Sequence, residues 1–269
     1  MLHYLWSLYL EYEFLSTPLF QLIVTTFQTF TLSSIFWLMD SSFMSQYRLK
    51  VPVSNKSDHS RFKYKNFFRF AFYNTVFLWF TILGSSTIID MKPDRTNWPL
   101  EAPSLLAFVF QLLVVIIVID FIMYWIHRLF HYGILYKFIH SVHHANHDSV
   151  AINAMCTHPI EFYTSMIVFF MVPVVLTSIG LYIHPLTANL SYFMINVHGI
   201  MEHCGYHDFS EPLTLGLLTG SKTHIVHHNF FGANYGFYTS IWDHVFKTSL
   251  SYETMVHRLS HNRDLVDSV

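Results

Sequence analysis

Of the chain's 269 residues only 12% are charged, and only two, Cys156 and Cys204, are cysteine. Soluble domains carry about 25% charged residues. A deficit of this size beside 52% apolar and 18% aromatic residues excludes disorder and points to an integral membrane protein. Two cysteines are too few for a disulfide scaffold or a cysteine-rich zinc site. A net charge of −2 supplies no broad basic field, which argues against nucleic acid as a partner. The nine glycines contain no G-x-G-x-x-G, so no Rossmann site for flavin or nicotinamide is visible, and no H-E-x-x-H marks a zinc protease. No Lys or Arg precedes Arg48. Without a basic n-region the N-terminus is expected to be retained rather than cleaved as a signal peptide.

What the chain does have is long apolar runs. Residues 19–39, 67–89, 105–126 and 160–183 each approach the roughly 20 residues needed to cross a bilayer. The last contains Pro173, and residues 186–200 follow it after His184-Pro185, which predicts a tight hairpin with a short second leg. Arg48, Lys50, Lys56, Arg61, Lys63, Lys65 and Arg69 crowd the loop between the first two runs and place it in the cytoplasm. The third run then returns to the cytoplasm at Arg128. The expected fold is an all-α integral membrane protein with about four transmembrane helices and a cytoplasmic, helical, histidine-rich cap holding a di-metal site. No repeat, low-complexity linker or composition break divides the chain.

The cap is expected from the 19 histidines. Clusters read HRLFH (His127, His131), HSVHH (His140, His143, His144), HCGYH (His203, His207) and HIVHH (His224, His227, His228). Helical spacings of three and four put side chains on one face, so each cluster is expected to aim its imidazoles at one place. Neutral imidazole binds zinc, copper, iron and nickel, and ten rings exceed what one ion coordinates, so two metals are inferred. One such histidine alone would be an ordinary core residue; four clusters at span ends are not.

Helical phase puts Asp120 and Tyr124 on the face of His127 and His131. A carboxylate within a span costs roughly 2.5–3.5 kcal/mol on insertion scales. Asp120 is therefore either an acceptor that orients a ligating imidazole or an acid solvated at the membrane surface. His158 and Glu161, in THPIE, either support the site or simply start a helix with His-Pro and an acid at its dipole. His147 and the pair His198 and Glu202 stand close enough in sequence to join or support it. Cys204 reads as small apolar filling.

At these residues the sequence resembles the fatty acid hydroxylase/sterol desaturase superfamily of membrane di-iron oxygenases. HRLFH, HSVHH and HIVHH come in that family's order and spacing. THPIE, FFGANYG (residues 230–236) and WDHVFKT (residues 242–248) are similar to its landmarks, although Lys247 stands where glycine is common. The resemblance covers residues 105–248, with 1–104 holding the N-terminal spans and basic loop and 249–269 a tail. It implies that all ten box histidines ligate two iron ions, and that O2 is used to hydroxylate, oxidise or desaturate a lipid C–H bond. Zinc lacks the redox states for this. Electrons would come from a separate chain, cytochrome b5 with an NAD(P)H-dependent reductase, at the endoplasmic reticulum. HCGY and THPIE favour a sterol substrate, with a sphingoid base or fatty-acyl lipid as the alternative. A metal transporter would need ligands along a path near the bilayer midplane, and a non-catalytic lipid-binding relative would be expected to have lost histidines.

Overall fold

A computed structural model describes residues 1–50, 69, 72–76, 79, 95, 97–145, 150–206 and 216–266. Among them no strand forms; two isolated β-bridges, Arg48 with Tyr206 and Leu218 with Thr239, are the only extended pairings. Among the described residues three helices are long and apolar enough to cross a membrane. They are α2 (Pro18–Asp40), α3 (Leu105–Phe130) and α5 (Pro159–Ser178), with α1 (Leu2–Glu11) before them and α4 (Gly133–Phe138) between the last two. The expected run at 67–89 and the basic loop lie largely outside the described residues.

The starts of these helices follow their local chemistry. Thr17 Oγ1 accepts from Phe20 N at 3.2 Å ahead of Pro18, and Ser104 Oγ accepts from Ala107 N at 3.2 Å. Two helices open on His-Pro: His158 Nδ1 accepts from Ile160 N at 3.2 Å to start α5, and His184 Nδ1 accepts from Leu186 N at 3.0 Å to start α6 (Pro185–Glu202). The hairpin forms as expected, but α5 ends at Ser178, short of residue 183. Gly180 takes φ +96°, and Leu181 N bonds back to Leu176 O at 3.0 Å, closing the helix with a left-handed turn.

The core packs α3 on α5 and α6. Val115, Ile116, Ile119 and Met123 meet Phe169, Val172 and Leu176 on one side and Tyr192 and Ile195 on the other. Helix α2 lies outside α6, with Phe36 against Ile200 and Cys204. The outward faces of the spans stay apolar: Leu106, Phe110 and Leu113 on α3 are more than half exposed, as expected of a surface that meets lipid. At the end remote from the histidines, Trp6 of α1 donates to Pro99 O at 3.0 Å and packs on Trp98 and His184, while Arg95 donates to Tyr9 O and Leu10 O.

The cap consists of α4, 3-10 turns at His140–Ala145 and Ala151–Met155, and helices α7 (Ser221–Asn229), α8 (Ile241–Val245) and α9 (Tyr252–Val266). Helix α9 seals α7 from outside by inserting Met255 against Ile225 and Val226.

Candidate metal centre

The last turns of α3 carry His127 and His131 toward the cap. His131 is the helix C-cap and keeps right-handed dihedrals, so it stays in phase with His127. Two groups of imidazoles result, with ligand atoms within 4.8 Å of one another in each. The first contains His127, His131, His140, His144 and His227; the second contains His143, His203, His224 and His228. In the first, His140 Nε2 lies 3.2 Å from His127 Nε2, 3.0 Å from His131 Nε2 and 3.0 Å from His144 Nε2, and His227 Nε2 lies 3.1 Å from both His131 and His144. In the second, His224 Nε2 lies 2.8 Å from His203 Nε2 and 2.9 Å from His228 Nε2, with His143 Nε2 3.4 Å from His203.

HRLFH converges on one group as expected, but HSVHH and HIVHH do not: each is shared between the two groups. Pairs four apart stay together (127 with 131, 140 with 144, 224 with 228), whereas the first member of each HH doublet, His143 and His227, points the other way. Adjacent residues on an α-helix are about 100° apart, and those of a 3-10 turn about 120°. His143 and His144 therefore face different groups, as do His227 and His228.

The rings' outer nitrogens decide what their inner ones can do. His127 Nδ1 lies 3.0 Å from Tyr235 O, His227 Nδ1 2.8 Å from Ala233 O and His203 Nδ1 2.7 Å from Gly199 O. A carbonyl only accepts, so each Nδ1 carries the proton and, in a neutral ring, each Nε2 presents a bare lone pair. His140 Nδ1 meets Glu161 Oε1 at 2.8 Å in the same sense. The 3.2 Å approach of His127 Nε2 to His140 Nε2 thus sets two lone pairs face to face, an arrangement that repels unless a cation lies between them. Protonation does not supply that cation. Burial, with the neighbouring His127 charge second, pushes His131 down to about 3, and burial pushes His203 down to about 4. Burial and neighbouring imidazoles hold His140, His143, His144, His224 and His227 below the usual histidine range as well. Nine imidazole nitrogens in two adjacent groups fit two transition-metal ions of the kind imidazole suits, iron among them.

The remaining predicted residues fall as follows. Glu161, buried at the start of α5, holds His140. Asp120 touches no imidazole in its hydrogen bonding: its carboxylate accepts from Phe237 N, Tyr238 N and Thr239 N at 2.7–3.1 Å and from Thr239 Oγ1 at 2.5 Å. It sits on the expected helix face, but the 237–239 loop reaches it first. Tyr124 bonds Thr248 and Arg128 rather than a histidine. His158 is the α5 cap and lies outside both groups. His198 also lies outside them, stacking on Tyr238 at 4.2 Å and meeting Thr219 Oγ1 at 3.0 Å. Cys204 packs in the α2–α6 core. His147 and His207 fall outside the described residues.

Sequence reasoning missed Asp243. Its two oxygens accept from Tyr235 N at 2.7 Å and Gly236 N at 2.8 Å, and Thr248 Oγ1 donates to it at 2.7 Å. Asp120 and Asp243 together clamp the loop whose carbonyls orient His127 and His227. Gly236 is required there, because a Cβ would overlap Thr239 O and stand 2.7 Å from Asp243 Oδ2. The readable signal was the acid within WDHVFKT, beside the FFGANYG glycines.

A cavity of about 130 Å³ opens beside the groups, between α3, α5 and α6. His127, His143, His203 and His224 form its polar end, and Met123, Met166, Phe169 and Ile195 line its length.

Residues 112–248, half of the chain, match the fatty acid hydroxylase family model, and the chain belongs to that family. Its similarity to curated relatives runs to the sterol branch. It is 28% identical over 173 residues to a Delta(7)-sterol 5(6)-desaturase of Leptosphaeria maculans, covering 61% of this chain and 42% of that one. It is 31% identical over 138 residues to the lathosterol oxidase of Homo sapiens, covering 50% and 44%. Against the C-4 methylsterol oxidase of Schizosaccharomyces pombe it is 34% identical over 131 residues, covering 48% and 43%. The match thus spans less than half the length of each of these relatives. No solved structure matches the chain significantly.

Proposed function

We propose that the protein is a membrane-bound di-iron oxygenase that oxidises a sterol, by hydroxylation, stepwise methyl oxidation or desaturation, using O2 and two electrons supplied from outside. The observation that carries this reading is the convergence of nine imidazoles in two adjacent groups at the end of an apolar cavity. Nine imidazoles exceed the four donors of a structural zinc site. The sterol follows from the printed activities of the relatives.

In this reading His127, His131, His140, His144 and His227 hold one iron, and His143, His203, His224 and His228 the other, with His207 completing the second set. Bound there, the irons supply the activation of O2 that attack on an unactivated C–H bond requires. The protein's part is placement. Glu161 and the carbonyls of Tyr235, Ala233 and Gly199 fix the rings, and second contacts of this kind are worth 10- to 100-fold in metal affinity or activity. Phe130, Phe162 and Phe169 keep water from the reacting end and give the hydrocarbon an apolar berth. A lipid dissolved in the bilayer enters laterally between the spans. Four crossings, histidines toward the cytoplasm, residence in the endoplasmic reticulum and electrons from cytochrome b5 and an NAD(P)H-dependent reductase complete the proposal.

Microsomes carrying the protein, given NADPH and a panel of sterols and sphingoid bases, test it. Oxygen-dependent conversion of a sterol is expected. Conversion of a sphingoid base alone would move the substrate to the other lipid class, and product formed without oxygen would overturn the mechanism.

A further inference from the structure

A second cavity, lined by Gln28, Val197, His198 and Tyr238 among others, lies against a different face of α6 from the first. Among the described residues the two cavities share one lining side chain, Glu202. Glu202 is 2% exposed, and its Oε1 is buried without a hydrogen bond. His198 Nε2 stands 3.7 Å from it and meets Thr219 Oγ1 at 3.0 Å, and Thr219 also neighbours the Glu202 carboxyl. A buried acceptor left unmet is unfavourable until a donor arrives. Glu161, in the same cavity, has one oxygen on His140 and leaves Oε2 unpaired beside the first imidazole group, and Asn196 Nδ2 donates to Gln28.

We propose that Glu202 anchors the hydroxyl group of the lipid substrate, a reading that rests on the sterol oxidase function above and adds the residue that recognises it. The hydroxyl donates to Glu202 Oε1, and the hydrocarbon lies along Met166, Phe169 and Ile195 between the spans. A carboxyl group keeps an acceptor oxygen in either protonation state, so the anchor does not depend on its charge. Because Glu202 immediately precedes His203, the hydroxyl end is held beside the second imidazole group. The carbons exposed to oxidation are then those a few bonds from the hydroxyl-bearing carbon, and the tail points away. The relatives' names place their reactions at C-4 and 5(6), close in a sterol skeleton to the hydroxyl-bearing carbon.

Competition binding to the purified, iron-loaded full chain tests the anchor. Tritiated cholestanol is displaced by unlabelled cholestanol or by 5α-cholestane, which lacks the hydroxyl, at equal mole fraction in the micelle. Wild type is expected to prefer cholestanol by about 10- to 100-fold. Glu202→Leu should lower cholestanol to the level of cholestane and leave cholestane unchanged, while Glu202→Gln, which retains an acceptor, should keep the preference. Equal binding of the two by wild type, or an undiminished preference in Glu202→Leu, overturns the anchor while leaving the oxidase reading standing. Absence of saturable binding of either by wild type overturns both. If Glu202→Leu fails to fold, the wild-type comparison still decides.

Discussion

The two imidazole groups are built differently. In the first, the rings of His127 and His227 are oriented by carbonyls of the 233–235 loop, and that loop is held in turn by Asp120, more than a hundred residues earlier, and by Asp243. In the second, His203 is oriented by Gly199 O, one turn back on its own helix. The segment after it is tied down by Tyr206 and Arg48, which both bond Asp40 at the end of α2, and by Gly205 N donating to Ser221 Oγ. The first group therefore depends on long-range closure of the cap on α3, and the second mainly on α6 and its junction with α2. The HH doublets join them, since each places one ring in either group.

The largest effect comes from splitting a doublet. His143→Ala and His144→Ala alter neighbouring residues, yet they should strip different sites. Each should cost at least the 10- to 100-fold in activity that loss of a mere supporting contact costs. Each should also retain about one iron where the proposed reading gives the unaltered protein two, with different Mössbauer components surviving. The same component surviving in both variants would break the division into two groups.

The next effect separates the supports. Asp120→Asn turns a pair of carboxylate acceptors into an amide with one, and leaves at least one buried N–H of the 237–239 loop unmet, at about 1–3 kcal/mol. The expected outcome is a lower unfolding midpoint, with iron lost from the first group during dialysis against a chelator while iron in the second remains. Equal loss from both would show that the loop supports the whole cap.

Much of this was legible in the sequence, for identifiable reasons. Runs of about 20 apolar residues announce spans because a bilayer imposes that length, and α2, α3 and the α5–α6 hairpin stand where the runs predict. Nine box histidines come together because their spacing is helical. What could not be read was partnership. Helical phase correctly set Asp120 on the His127 face, but periodicity within one helix cannot see a loop that arrives from 117 residues away. The carbonyls of Gly199, Ala233 and Tyr235 were illegible because any residue supplies one. For His158 the sequence left site support and helix starting equally open, and its repetition in His184 shows His-Pro to be a helix-starting device here.

The smallest effect tests the turn behind the first group. Lys247 takes a φ of +57°. A non-glycine residue pays roughly 1–2 kcal/mol for that left-handed conformation, while glycine adds about 0.5–1 kcal/mol of unfolded-chain entropy. Lys247→Gly should therefore raise stability by up to about 1 kcal/mol, read as a higher unfolding midpoint in detergent. The turn feeds directly into the clamp: Thr248 N donates to Asp243 O and Asn234 N to Thr248 O, each at 2.8 Å. Relief of strain should thus slow iron loss from the first group slightly and leave the second untouched. A lower midpoint would mean that the Lys247 side chain makes contacts worth more than the strain it carries, and that the first group gains support from a residue the loop geometry alone would reject.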